Sequence, residues 1–125
     1  MFKLFAKNLT KDEQDAIIEA KLTWILSQVR PLEIVLFGSA ATYQMTDASD
    51  VDLIVKFANQ QARDRARQLL FRSRPKEDWP HDLLLLTEEE FERSAAQGGG
   101  AAYVAQREGR IIYPKIDPEG DGDRS

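Results

Sequence analysis

The chain is 125 residues long, 42% hydrophobic and 30% charged, the profile of one globular domain with a single core. It contains no cysteine, which excludes disulfides, thiolate metal sites and cysteine nucleophiles. A net charge of −4 argues against bulk nucleic-acid binding and leaves only a local basic face open.

Met1–Phe5 lacks the apolar stretch and small-residue cleavage site of a secretory signal, and the longest apolar runs, such as Leu83–Leu86, are far too short for a bilayer. A cytoplasmic protein is therefore expected. Thr10-Lys11-Asp12-Glu13 is a capping box that opens a helix. Ile17, Ile18, Lys21, Leu22, Ile25, Leu26 and Val29 continue it at helical spacing, and Pro31 ends it. Glu33–Phe37 is a β-branched, apolar run stopping at Gly38, and it reads as a buried strand. Ser39–Tyr43 can form a short helix, and Thr46–Ser49 a turn.

A second strand is predicted over Asp50–Phe57, a charged helix over Asn59–Ser73 and a third strand over Asp82–Leu86. Thr87-Glu88-Glu89-Glu90 is another capping box. Phe91–Glu108 reads as two short helices broken at Gly98–Gly100, with Gly109 as a C-cap and Ile111–Tyr113 as an edge strand. Residues 1–114 form one domain in this reading, and 115–125, rich in acids and glycine, a disordered tail. The alternation predicts an α/β (α+β) fold, a small mixed sheet with helices packed against it.

Three acids carry the chemistry. Asp50 and Asp52 lie two apart on a strand, so both carboxylates face the same side. Asp82 opens the next strand and joins them if the two strands are neighbours. Such a cluster calls for a hard cation, and Mg²⁺ suits it because one or two carboxylates plus substrate phosphates complete its shell. Gly38 permits close backbone approach after a buried strand, and Ser39 opens a short helix whose free N–H groups and dipole suit phosphate. Together these features describe a site for a metal-bound nucleoside triphosphate and in-line displacement at phosphorus.

Leu36-Phe37-Gly38-Ser39, ten residues, then Asp50-Val51-Asp52-Leu53, resembles the motif of the DNA polymerase β-type nucleotidyltransferase superfamily. Trp79-Pro80-His81-Asp82-Leu83-Leu84 is similar to its third-carboxylate strand. The resemblance covers roughly residues 10–113 and is strongest to the minimal nucleotidyltransferases, many of them antitoxins paired with HEPN-domain toxins. It implies the nucleotidyltransferase fold, two Mg²⁺ ions and ATP as substrate. By the same resemblance Asp50 and Asp52 bind both metals, and Asp82 binds the catalytic one and helps to activate the attacking hydroxyl. Gly38 and Ser39 hold the triphosphate, with Ser49 counted as a further nucleotide contact. The implied reaction is transfer of AMP to a tyrosine of the partner toxin.

The chain departs from the pattern at Ala40, where many relatives carry a basic residue, and at Thr42 and Tyr43, where a glycine is common. Tyr43 is placed to crowd the nucleotide or to stack on its base. A binding-only antitoxin and a small-molecule nucleotidyltransferase are the alternative readings. Arg63, Arg65, Arg67, Arg72, Arg74 and Lys76 form a basic helix and exit, read either as a solvated face or as a dock for an acidic partner, RNA or a phosphate. His81 falls on the strand face opposite Asp82 and is expected to be structural or at the surface. Trp24 and Trp79 are expected to pack.

Overall fold

The computed structural model describes residues 6–115. Its elements are α1 (Lys11–Gln28), β1 (Glu33–Phe37), a 3₁₀ turn (Gly38–Ala40), β2 (Val51–Phe57), α2 (Gln60–Ser73), β3 (His81–Thr87), α3 (Glu88–Ala96), α4 (Gly100–Glu108) and β4 (Arg110–Tyr113). Both capping boxes form as expected. The Thr10 hydroxyl accepts from the Glu13 amide at 3.1 Å while the Glu13 carboxylate accepts from the Thr10 amide at 2.8 Å. The Thr87–Glu90 pair repeats this at 3.0 and 2.8 Å. The predicted tail lies, beyond Lys115, outside the described residues, as do Met1–Phe5.

Four strands form one mixed sheet in the order β3-β2-β1-β4. β1 is antiparallel to β2 and β4, whereas β2 and β3 are parallel because α2 carries the chain back between them. Helices α1 and α2 cover one face, where Ile18, Leu22, Ile25 and Leu70 pack on Ile34, Leu36, Leu53, Val55 and Leu85. Helices α3 and α4 cover part of the other, where Phe91, Ala95, Ala102 and Ala105 meet Val35 and Ile54. Each fully buried leucine or isoleucine contributes roughly 1.5–3 kcal/mol. No helix among the described residues is long and apolar enough to cross a membrane.

Two local expectations change. The short helix expected at Ser39–Tyr43 is a single 3₁₀ turn, because Tyr43 takes a left-handed φ of 58° and turns the chain back toward the antiparallel β2. The Ser39 carbonyl secures this reversal by accepting from the Gln44 amide at 2.9 Å. Gly109 does cap α4, but in extended conformation (φ −78°, ψ 170°) and not in the left-handed one. Glycine is required there for space, since a Cβ would stand 2.3 Å from the Ala105 carbonyl oxygen and 2.8 Å from that of Leu36.

Candidate active site

Asp52 sits opposite Phe37 in the antiparallel β1–β2 pair and opposite Asp82 in the parallel β2–β3 pair. Ile54 and Leu86, which share the strand faces of Asp52 and Asp82, both belong to the α3/α4 layer. Alternation therefore puts both carboxylates on that side of the sheet, at the N-terminal ends of two adjacent strands. Asp50 stands just ahead of β2 and is exposed, as is Asp82, while Asp52 is half-buried. Burial raises the Asp52 carboxyl above its ordinary value, and the charges of Asp82 and Asp50 push it further the same way. The three acids thus share one locality.

Gly38 completes this corner in a way the sequence only partly disclosed. Its φ is +70°, and a Cβ at this position would stand 2.4 Å from Oδ2 of Asp52. The glycine both makes the turn and leaves room for the carboxylate. Gly38→Ala should cost about 1–3 kcal/mol through left-handed strain. By displacing Asp52 it should also slow nucleotidyl transfer about 10²-fold. Urea denaturation and steady-state rates check both, and wild-type values for the pair would contradict this role.

The donor set is hard oxygen, and burial together with the charges of Asp82 and Asp50 raises half-buried Asp52, so a divalent cation fits the site chemically. Among the described residues no group of three or more His, Cys, Asp or Glu side chains is arranged to hold a metal ion as it stands. The register-matched pair Asp52 and Asp82 suits a cation that draws the rest of its shell from phosphate oxygens and water.

The loops around the acids are built for position. Ser49, expected to contact nucleotide, spends its hydroxyl on the turn: Oγ accepts from the Thr46 amide at 2.8 Å. Its carbonyl accepts from the Trp79 indole at 2.8 Å, and the Val51 amide donates to the Pro80 carbonyl at 3.0 Å, so the approaches to Asp50 and Asp82 are tied together. Tyr43 is held by contacts within the chain. Its hydroxyl donates to Asp15 at 2.8 Å and accepts from Arg110 at 3.1 Å, with the Arg110 guanidinium 4.4 Å from the ring centre. Arg110 also donates to the Ala40 carbonyl at 3.2 Å and braces the loop after Gly38-Ser39. Gln14, fully buried, donates to the Leu9 carbonyl at 3.0 Å and accepts from the Met45 amide at 3.2 Å.

Lys21 is the largest departure from the helical pattern. It occupies the apolar stripe of α1 and is 1% exposed, yet it keeps a full set of polar partners. Its ammonium pairs with Asp78 at 2.7 Å, with His81 Nδ1 at 2.7 Å and with the Trp79 carbonyl. His81 stacks on Trp24 at 5.4 Å, so it is a buried structural residue. Burial, reinforced by Lys21 and Arg74, lowers His81 to about 4, which keeps it neutral and able to accept from the lysine. Burial pushes Asp78 up, but the Lys21 hydrogen bond and charge outweigh it and hold the carboxyl low. A lysine in an apolar stripe, followed much later by Asp78 and His81, was the sequence signal for this latch.

On the basic helix, Arg63 pairs with Asp64 and Glu90, both at 2.6 Å, and Arg67 with Asp64 at 3.2 Å. Arg74 pairs with Asp78 at 3.4 Å. Arg63, Arg67 and Arg74, three of the six basic residues of this face, thus pair with acids of their own chain.

A mixed sheet thus presents Asp52 and Asp82 side by side, with a glycine turn against one of them. Residues 20–115 match the family model described as Polymerase beta, Nucleotidyltransferase, and the chain belongs to that family. Its general chemistry is nucleotidyl transfer, which the family performs on nucleoside triphosphates with a divalent metal. A search of curated protein sequences yields no match. Among solved structures, the chain is similar to a candidate nucleotidyltransferase from Sulfolobus solfataricus, at 18% identity and a TM-score of 0.47 over 82% of this chain and 84% of that one.

Proposed function

We propose that the protein transfers AMP from ATP, with Mg²⁺, to a hydroxyl of a partner protein, and that the partner is a HEPN-family toxin which this modification silences. The observation that carries the reading is the pairing of Asp52 with Asp82 in register, with Gly38 packed on the Asp52 carboxylate. Asp82 is exposed on the sheet's outer strand, so a hydroxyl carried on another protein's surface can reach it. In the reaction that hydroxyl oxygen bonds to the α-phosphorus, the bond from phosphorus to the bridging oxygen of the β-phosphate breaks, and pyrophosphate leaves. The hydroxyl proton passes to Asp82. Asp52 and Asp82, with Asp50, would hold the divalent ion, which supplies neutralisation of charge on the phosphoryl oxygens.

The test uses ATP labelled on the α-phosphate, Mg²⁺ and, as the candidate partner, whatever protein the adjacent gene encodes. Label should appear on the partner with the wild type and be absent with Asp50→Asn plus Asp52→Asn. If γ-labelled ATP marks the partner instead, the reaction is phosphorylation and the reading fails. If neither labels it and the double variant still protects cells, neutralisation is by stoichiometric binding.

A further inference from the structure

Two residues in the turn that follows β1 take left-handed backbone angles, Gly38 at a φ of 70° and Tyr43 at 58°. Glycine adopts this conformation freely, whereas a side chain as large as tyrosine does so only under strain. Tyr43 is the one non-glycine residue with a positive φ among the described residues. The reversal itself needs nothing from a phenol ring, so the reason for tyrosine lies in what its side chain holds.

That side chain ties the loop to the start of α1 and to β4. The Tyr43 hydroxyl donates to Asp15 at 2.8 Å and accepts from Arg110 at 3.1 Å. Arg110 and Lys11 both lie over the ring, 4.4 and 4.9 Å from its centre. Lys11, whose side chain is 68% exposed and already paired with Asp15, adds the least of these. The Tyr43 carbonyl accepts from the side chain of buried Gln14 at 3.3 Å, and Gln14 accepts in turn from the Met45 amide at 3.2 Å.

Arg110 carries this restraint to the site. While one terminal nitrogen bonds the Tyr43 hydroxyl, the other donates to the Ala40 carbonyl at 3.2 Å. A guanidinium presents its donors in a rigid plane, so it fixes Ala40 relative to Tyr43. Arg110 is itself set by β4, where it pairs with Leu36, two residues before Gly38. Leu36 faces the α1 and α2 layer, so Arg110 holds the loop from the side of the sheet opposite Asp52. On the other side, Gly38 rests against the Asp52 carboxylate. We propose that Tyr43 and Arg110 are positioning residues which, acting through the Ala40 carbonyl, hold Gly38 and Ser39 where their backbone meets the phosphates of Mg²⁺–ATP. This role rests on the nucleotide reading of Gly38 and Ser39 given above.

Stability and nucleotide affinity should part company when the anchor is removed. Tyr43→Gly loses the strain together with the anchor, whereas Tyr43→Ala loses the anchor and keeps the strain, so the glycine variant should have the higher urea midpoint. Affinity for Mg²⁺–ATP, titrated by calorimetry where every variant is folded, should not follow that order. Both variants, and Arg110→Met, should bind about tenfold more weakly than the wild type, because the loop is no longer held ready. Since the two residues act as a unit, Tyr43→Gly combined with Arg110→Met should bind no more weakly than either alone. Wild-type affinity in Tyr43→Gly or Arg110→Met overturns the positioning role and leaves the nucleotide reading in place. So do affinities that track the urea midpoints, or losses that simply add in the double variant. A wild type that binds no Mg²⁺–ATP removes the nucleotide reading itself, and this role with it.

Discussion

Asp52→Asn should slow nucleotidyl transfer by about 10³-fold, the scale on which a preorganised electrostatic group acts, while raising the melting temperature of the metal-free protein at neutral pH. The rate falls because the amide cannot take the charged share of a cation shell beside Asp82. The stability gain follows from the raised Asp52 carboxyl. A carboxyl whose folded value lies above its unfolded one favours folding only in acid. That advantage is lost as pH rises through the folded value, and at pH 7 the ionised group is a burden. Relieving it should contribute no more than about 1 kcal/mol, since Asp52 keeps contact with water. The gain should vanish as pH falls through the ordinary carboxylate range. Added Mg²⁺ with ATP should stabilise the wild type more than the variant, because only the former binds the pair well. Thermal melts across pH, with and without Mg²⁺–ATP, read all three effects. A variant less stable than the wild type at pH 7 would contradict the raised Asp52 carboxyl on which this rests.

Lys21→Met should destabilise the fold by about 3 kcal/mol, because it strands Asp78 without its partner in a largely buried setting. Removing both charges, in Lys21→Met with Asp78→Leu, should recover much of that loss, as an apolar pair needs no compensation there. The same cluster sets a pH dependence. His81 is lowered to about 4 from an unfolded value of 6.5, by burial first and then by Lys21 and Arg74, against the opposing pull of Asp78 and Asp82. The unfolded chain therefore binds the extra proton over that window. Stability is fully present above 6.5 and should drop by about 2 kcal/mol as pH falls toward 4. In Lys21→Met the slope should flatten, since one cause of the shift is gone. Urea midpoints measured between pH 7 and pH 4 decide both points, and an unchanged slope would remove Lys21 from the account.

Most of the fold was legible because its signals are local. Thr10 and Thr87 each sit three residues before a glutamate, Pro31 stops a helix, and Gly38 stops a strand. Asp50 and Asp52 stood out by their spacing, although Asp50 lies just ahead of β2 and not on the strand expected from Asp50 onward. Asp82 joined them once β3 lay beside β2, as the β2–α2–β3 crossover ensures. The remainder depends on contacts between residues far apart in the chain. That Tyr43 is held by Asp15 and Arg110, and that Lys21 finds Asp78 and His81, follows only after α1 has packed on the sheet. Ser49 is held in the same way by its own turn, where its hydroxyl accepts from the Thr46 amide.

His81 and Asp82 are neighbours in the chain but stand on opposite sides of β3, one locked under Trp24 and the other open at the site. The strand therefore carries two independent texts on alternate letters. A saturation-mutagenesis map scored separately for abundance and for activity should split along it, with His81, Leu83 and Leu85 governing how much protein accumulates. Asp82 should instead govern only what that protein does. Ancestral drift or laboratory evolution could rewrite the acceptor side of the sheet while leaving the layer beneath it intact.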